Sequence, residues 1–213
     1  MKAINDLIDK VYLINLATRP DRLQRVKERL ECLDIKYERL EAIDGKTIEP
    51  HHHLKPGEVG CNMSHVSALR DAKRNNYGSI LILEDDVVFK EDILERFNEG
   101  YKRVPDDWEI IFLGGDHIRP PTKISEHIVK CNFTFNTHAY IIRDVAYEKL
   151  LAKAKRMSAQ IDTVYARMQI LGKVKAYGFY PWLANQEDGY SDVQDRDINY
   201  TQDFGKFKRN FLM

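Results

Sequence analysis

No apolar run in these 213 residues approaches the length that spans a bilayer. Charge of one sign is not in excess either, since 33 Lys and Arg balance 33 Asp and Glu. Without a basic surplus, nucleic acid is not the expected partner. Cysteine is scarce. Cys32, Cys61 and Cys131 are odd in number, widely spaced and without a paired-cysteine zinc pattern, so they read as reduced thiols. Met1 to Lys10 is polar and lacks a signal-peptide core, which sets the expectation of a cytoplasmic protein. No internal repeat, low-complexity tract or clear linker divides the chain. What remains is a chain with 43% hydrophobic residues, long enough for one substantial domain with a buried core.

The most informative stretch is Ile80-Leu81-Ile82-Leu83-Glu84-Asp85-Asp86-Val87-Val88-Phe89. Four apolar residues read as a buried strand, and three carboxylates follow at once. Like charges packed at a strand end repel and lose water there. A divalent cation is the usual remedy, and oxygen-only ligands favour a hard ion, Mn²⁺ or Mg²⁺. Such an ion commonly holds a diphosphate, which points to metal-dependent transfer from a nucleotide-activated group. The plainer alternative is a solvated acidic loop or a helix N-terminus.

Along the chain, Val11 to Leu16 reads as a strand. Thr18 is placed to cap a helix with Pro20 in its first turn and Leu23, Val26, Leu30 and Leu33 on one face. Ile35 to Ile43 reads as a strand ending in the Asp44-Gly45 turn, and His51 to Gly60 as a loop. Ser64 is placed to cap a helix carrying Val66, Leu69 and Ala72. Glu109 to Leu113 and His138 to Ile142 read as strands, the latter followed by a helix with Ala146, Leu150 and Ala154 inward. Asp162 is placed to cap a helix bearing Val164, Met168 and Leu171, and Val174 to Tyr180 reads as the last strand. Alternation of strands and helices implies a single-domain α/β sandwich with a mostly parallel central sheet. Ligands of such sheets sit at the carboxyl ends of the strands, where Asn15 and Glu84 to Asp86 lie. A polar tail follows residue 193 and turns basic and aromatic from Phe204 to Phe211. It suits a lid, a segment docked on the core, or a peripheral contact with the inner face of a membrane.

Tyr12-Leu13-Ile14-Asn15-Leu16, followed by Arg19, Asp21 and Arg22, resembles the opening of glycosyltransferase family 25. That family holds bacterial lipopolysaccharide galactosyltransferases and collagen hydroxylysine galactosyltransferases. Ala42-Ile43-Asp44-Gly45 resembles its second signature, Gly57-Glu58-Val59-Gly60-Cys61-Asn62-Met63-Ser64-His65 its third, and Leu83-Glu84-Asp85-Asp86-Val87 its fourth. Ala139-Tyr140-Ile141-Ile142, Ile161-Asp162, Gln186 and Ser191-Asp192-Val193 follow in the same order. Each piece is weak alone, but the ordered set is specific. The resemblance implies a GT-A type, Rossmann-like fold over residues 1–193 with a tail or lid at 194–213. It also implies a UDP-sugar donor, Mn²⁺, and transfer with inversion to a glycan or hydroxylysine acceptor. A non-catalytic UDP-sugar-binding or chaperone-like member of the same fold is the alternative. A nucleotidyltransferase would need a glycine-rich, lysine-containing loop after the first strand, and Asn15 to Arg22 has neither feature.

Glu84, Asp85 and Asp86 resemble the family's version of the DxD motif. Asp86 is expected as the direct metal ligand, and Glu84, counted with it in the metal set, at the ribose or a metal-bound water. Asn15 and Arg19 are expected at the nucleotide, because a guanidinium fork suits a diphosphate; Arg22 is left open. Asp44 is expected at uracil or ribose, or simply in a turn before Gly45. Ser64 and His65 are expected at a helix start, with His65 at the donor phosphates or orienting Asp85 or Asp86, or as a structural histidine. Gln186, Ser191 and Asp192 are expected to return to the donor or metal. Asp162 is the expected general base, kept ionised by a helix N-terminus. His51-His52-His53 reads as a loop rather than a metal tract.

Overall fold

The computed structural model describes residues 2–50 and 53–200. His51, His52 and the basic aromatic segment Phe204 to Phe211 lie outside the described residues. In chain order the first strands are β1 (Lys10–Asn15), β2 (Glu38–Glu41), β3 (Ser79–Glu84), β4 (Val87–Phe89), β5 (Ile110–Phe112), β6 (Asp116–His117) and β7 (Thr122–Lys123). Then come β8 (Ile128–Lys130), β9 (Thr134–Phe135), β10 (Ala139–Arg143), β11 (Ala176–Phe179), β12 (Ala184–Gln186), β13 (Gly189–Ser191) and β14 (Arg196–Ile198). The helices are α1 (Pro20–Cys32), α2 (Pro56–Arg74), α3 (Ile93–Tyr101), α4 (Asp144–Ala154) and α5 (Ile161–Ile170).

The central sheet has the order β2-β1-β3-β10-β5-β11-β8-β7. Its continuous apolar run, Ile80 to Leu83, is fully buried because helices cover both faces. Ile80 and Ile82 pack with Tyr12, Tyr140 and the inward residues of α2, α4 and α5. Leu81 and Leu83 point the other way, into a second core with Val26 and Leu30 of α1 and Phe97 of α3. Strand pleating sends alternate residues to opposite faces, so one run serves two cores.

The sheet is mixed. Most strands run with β1 and β3, whereas β10 is antiparallel to both of its neighbours, β3 and β5, and β8 is antiparallel to β11. Reversal of β10 has a direct consequence for the site. Ala139 at its start lies opposite Leu83 at the end of β3. The residues just before β10 are therefore delivered beside Glu84.

Several local expectations are corrected. Arg19, not Thr18, precedes α1, and it makes no side-chain cap bond. α2 begins at Pro56, not Ser64: the Lys55 amide donates to Glu58 Oε2 at 2.8 Å, and Pro56 needs no donor at a first helical position. Ser64 is thus mid-helix. Asp162 is the second residue of α5 rather than its cap, which is Gln160. Leu171 lies past the end of α5 with 67% exposure instead of facing inward. β11 is not the last strand, since β12 pairs with β4 and β13 with β14. The hairpin of β13 and β14 spans Gly189 to Ile198. Among the described residues no helix is long and apolar enough to cross a membrane.

Gly57 and Gly60, read from sequence as loop glycines, lie within α2, where a neighbouring backbone leaves no room for a Cβ. A Cβ on Gly60 would stand 2.3 Å from the Ile43 carbonyl oxygen, and one on Gly45 would stand 1.7 Å from that of Pro56. These contacts seat the start of α2 on the segment after β2. In an exposed helix, Gly to Ala gains about 1 kcal/mol. Gly60→Ala should do the opposite and lower stability by ~1–3 kcal/mol, the usual range for overpacking. Chemical denaturation checks it; a variant as stable as the parent would mean that this helix start is free to shift.

Candidate active site

The acidic turn at the end of β3 holds its three carboxylates apart by giving each a different set of donors. Glu84 Oε1 accepts from Thr137 Oγ1 at 3.1 Å and lies 3.2 Å from His65 Nε2. Asp85 Oδ2 accepts from Asn15 Nδ2 at 2.7 Å, and its Oδ1 from Arg22 Nη1 at 3.0 Å. Asp86 has less. Its Oδ2 accepts from Gln186 Nε2 at 3.2 Å, while Oδ1 is buried with no hydrogen-bond partner.

The electrostatics follow these contacts. Burial pushes Asp86 up to about 7, helped by the charges of Glu84 and Asp85. Asp85 is also raised, because burial outweighs the Arg22 charge and the Asn15 bond. Burial acts on Glu84 in the same sense, yet the His65 and Thr137 contacts prevail and hold it below its ordinary value.

The other wall comes from the segment before β10 and from α5. Asn136, Thr137, Gln160, Ile161 and Asp162 line the same cleft as the acidic turn. Asp162 Oδ1 accepts from the Thr163 amide at 2.5 Å, and its Oδ2 from the Asn136 amide at 3.4 Å. Burial raises the Asp162 carboxyl against these bonds, with Glu84 adding to the rise. The amide bonds at the helix start oppose that rise without cancelling it.

The remaining expected residues fall into place around this cleft, some with altered roles. Asn15 uses both sides of its amide within the protein: Nδ2 also donates to the Arg19 carbonyl at 3.1 Å, and Oδ1 accepts from Arg39 Nε at 3.0 Å. Asp44 lines the cleft and makes its turn, accepting from the Lys46 amide at 2.9 Å. Ser64 ties α2 to the segment after β2: its hydroxyl donates to Gly60 O at 2.7 Å and accepts from the Ile43 amide at 2.9 Å. His65, fully buried in the middle of α2, reaches Glu84 and Tyr140 rather than Asp85 or Asp86.

Arg19 is not on the cleft wall. It pairs with Asp21 at 3.1 Å and with Asp192 at 2.5 Å. Arg22, one turn on, lines the cleft and links Asp85, the Tyr190 carbonyl and, at 3.8 Å, Asp192. Asp192 and Ser191 close the rim, where the Ser191 hydroxyl accepts from the Gln194 amide at 3.2 Å. Gly57 at the start of α2 makes room for this segment, since a Cβ there would stand 2.3 Å from the Asp192 carbonyl oxygen. Gln186 is placed by the antiparallel pairing of β12 with β4, Gln186 opposite Val87.

Sequence reasoning missed Thr137, Asn136 and Cys61 as cleft residues. The signals were a polar pair just before the β10 strand and a thiol inside the third signature. Cys32, Cys61 and Cys131 are all free thiols.

The donor set suits a hard divalent cation. Asp86 offers an unpartnered buried oxygen and a carboxyl that burial and then neighbouring negative charge push up, and a cation relieves both conditions. Glu84 adds a second carboxylate. Asp85, bound by Asn15 and Arg22, is already satisfied.

Comparison with known proteins places these features in a family. The model of glycosyltransferase family 25 (LPS biosynthesis protein) matches residues 8–165. An inactive glycosyltransferase 25 family member 3 of Mus musculus is 29% identical over 170 residues, which cover 68% of this chain and 29% of that protein. Procollagen galactosyltransferase 1-A of Xenopus laevis is 28% identical over 170 residues, covering 67% of this chain and 28% of that protein. The chain therefore spans under a third of the length of these relatives. Among solved structures, a glycosyltransferase involved in glycosylating the major capsid of PBCV-1 is 11% identical with a TM-score of 0.47, covering 78% of this chain and 80% of that one.

Asp86 binds its proton more tightly in the folded cleft than in an open chain. Its stabilising contribution is therefore complete below about pH 4 and is lost as the pH rises through about 7. Asp86→Asn cannot lose a proton. In metal-free buffer the stability difference should move in the variant's favour by ~4 kcal/mol between pH 4 and pH 8. Melting curves of both proteins across that range test this; a constant difference would show that Asp86 does not titrate in the fold.

Proposed function

Because this chain belongs to glycosyltransferase family 25, we propose that it is a metal-dependent, inverting hexosyltransferase. It moves galactose foremost, glucose second, from a UDP-sugar to a hydroxyl of a glycan or hydroxylysine acceptor. The observation that carries this reading is the single cleft in which the bare oxygen of Asp86 and the raised carboxyl of Asp162 both stand.

Mn²⁺, or Mg²⁺ in its place, held by Asp86 with Glu84, would supply the positive charge that stabilises UDP as it departs. Gln186 fixes one Asp86 oxygen and leaves the other for the ion. Asn15 and Arg22 keep Asp85 from repelling the diphosphate, and Arg22 adds a guanidinium on the cleft wall. Asp44 and the backbone around it offer the polar edge for the uridine. Asp162 takes the proton of the acceptor hydroxyl as that oxygen attacks the anomeric carbon and the bond to UDP breaks. Its raised carboxyl makes it a stronger base than an ordinary aspartate.

A second reading has a specific observation behind it. The mouse relative is an inactive member of the family. In that reading the cleft binds a UDP-sugar without turnover.

Asp162→Asn keeps the shape and one of the two amide contacts, since an amide side chain offers a single acceptor oxygen. It should bind UDP with Mn²⁺ as the parent does while turnover falls by ~10²–10⁴. Calorimetry and a UDP-release assay separate the two effects. Turnover near the parent's would return the base role to Asp116, Asp188 or Asp192, and a parent that binds but never turns over would establish the non-catalytic reading.

The donor assignment has its own test. In a thermal-shift panel with Mn²⁺, UDP should raise the melting temperature clearly more than GDP does. Equal shifts would refute uridine selection.

A further inference from the structure

We propose that Cys61, His65 and Glu84 form a second cation site, for a thiophilic divalent ion such as Zn²⁺, beside the oxygen site at Asp86. Cys61 and His65 are four residues apart on α2, so their side chains share one helix face. That face meets the end of β3. The Cys61 sulfur, a ring nitrogen of His65 and a Glu84 oxygen all lie within 4.8 Å of one another. An ion drawing them in by a few tenths of an ångström each would complete three ligands, with the open cleft supplying a fourth position to water. Three protein ligands and one open position are a familiar zinc arrangement.

Other observations support this. His65 is fully buried, and its Nδ1 sits 2.7 Å from the Tyr140 hydroxyl. A metal-binding histidine characteristically makes such an outer contact, which fixes the ring and leaves Nε2 for the ion. His65 Nε2 already faces Glu84 Oε1 at 3.2 Å, so a cation between them would join two groups that are now adjacent. Cys61 lies in the field of Glu84, Asp162, Asp86 and Glu58. This setting draws a cation in, and the ion displaces the thiol proton as it binds. Sulfur and imidazole select a softer ion than the oxygens of Asp86 do. Cys32 and Cys131, one exposed and the other buried, belong to no such group among the described residues.

Glu84 is common to both sites. If the transferase reading holds, a zinc ion here takes Glu84 from the hard-ion site and opposes Mn²⁺-supported UDP binding. The existence of the site does not depend on that reading.

The test uses the full chain freed of metal. Titrated with Co²⁺, the parent should develop a near-ultraviolet thiolate charge-transfer band, and titrated with Zn²⁺ it should bind about one equivalent with sulfur in its coordination. Cys61→Ser should abolish the band and weaken Zn²⁺ by at least the ~10–100-fold that loss of even an outer partner brings. Asp86→Asn should keep the band, which separates this site from the one on which the transferase reading rests. X-ray absorption of the zinc-loaded parent needs no variant and should show one sulfur neighbour. No binding, a nitrogen-only shell such as His51 to His53 would give, a band that survives Cys61→Ser, or a band lost in Asp86→Asn would each overturn the proposal.

Discussion

Three consecutive carboxylates at the end of a strand buried on both sides are the constraint from which the rest of this site follows. Left with one another, they would take up protons or drive the strand end into solvent. The fold avoids both by distributing donors. Glu84 draws on α2 and on the approach to β10, Asp85 on β1 and α1, and Asp86 on β12. Elements from the beginning, middle and end of the chain meet at this point because each supplies what its neighbour acid lacks. The Arg22–Asp85 pair shows the stakes. Both side chains are largely buried, so deleting either partner strands a charge, which is a larger loss than the pair itself contributes.

Two devices bring these elements so close. The first is the reversal of β10, which places the beginning of a strand, rather than its end, at the mouth of the sheet. The second is glycine on α2. Gly57 and Gly60 let the backbones after β13 and after β2 approach the helix to distances that a methyl group would occupy. The third signature of the chain is thus a packing motif and a ligand motif at once, with glycines on the face that docks and Cys61, Ser64 and His65 on turns that reach inward.

The parts legible in the sequence were those with local causes. Ile80 to Leu83 announced a doubly covered strand because two-sided burial needs a continuous apolar run. Glu84 to Asp86 announced a turn that must draw donors from elsewhere, because the placement is costly without partners. The misreadings have a common origin in tertiary contact. Ser64 looked like a cap, since a serine before an apolar-periodic stretch usually is one, and nothing local says that two glycines upstream are helical. Arg19 and Arg22 differ by about one helical turn, and the sequence does not say which of them faces the cleft. Asp162 was placed correctly near a helix start, yet its proton affinity follows from burial, which only the assembled walls reveal. Thr137 went unseen because its importance depends on the direction of β10.

Gln186 lies 100 residues from Asp86, and Asp192 lies 173 from Arg19. These closing contacts join the two ends of the chain's order of synthesis. A ribosome must deliver nearly the entire domain before the acid that most needs a partner receives one, and loop closure over such spans is slow. The sheet core waits almost as long, since β11 at Ala176–Phe179 must enter between β5 and β8. The sheet and its acidic mouth are therefore completed nearly together. Until Gln186 arrives, Asp86 would lack its one side-chain donor, so the acidic turn is among the last parts of the domain to be satisfied.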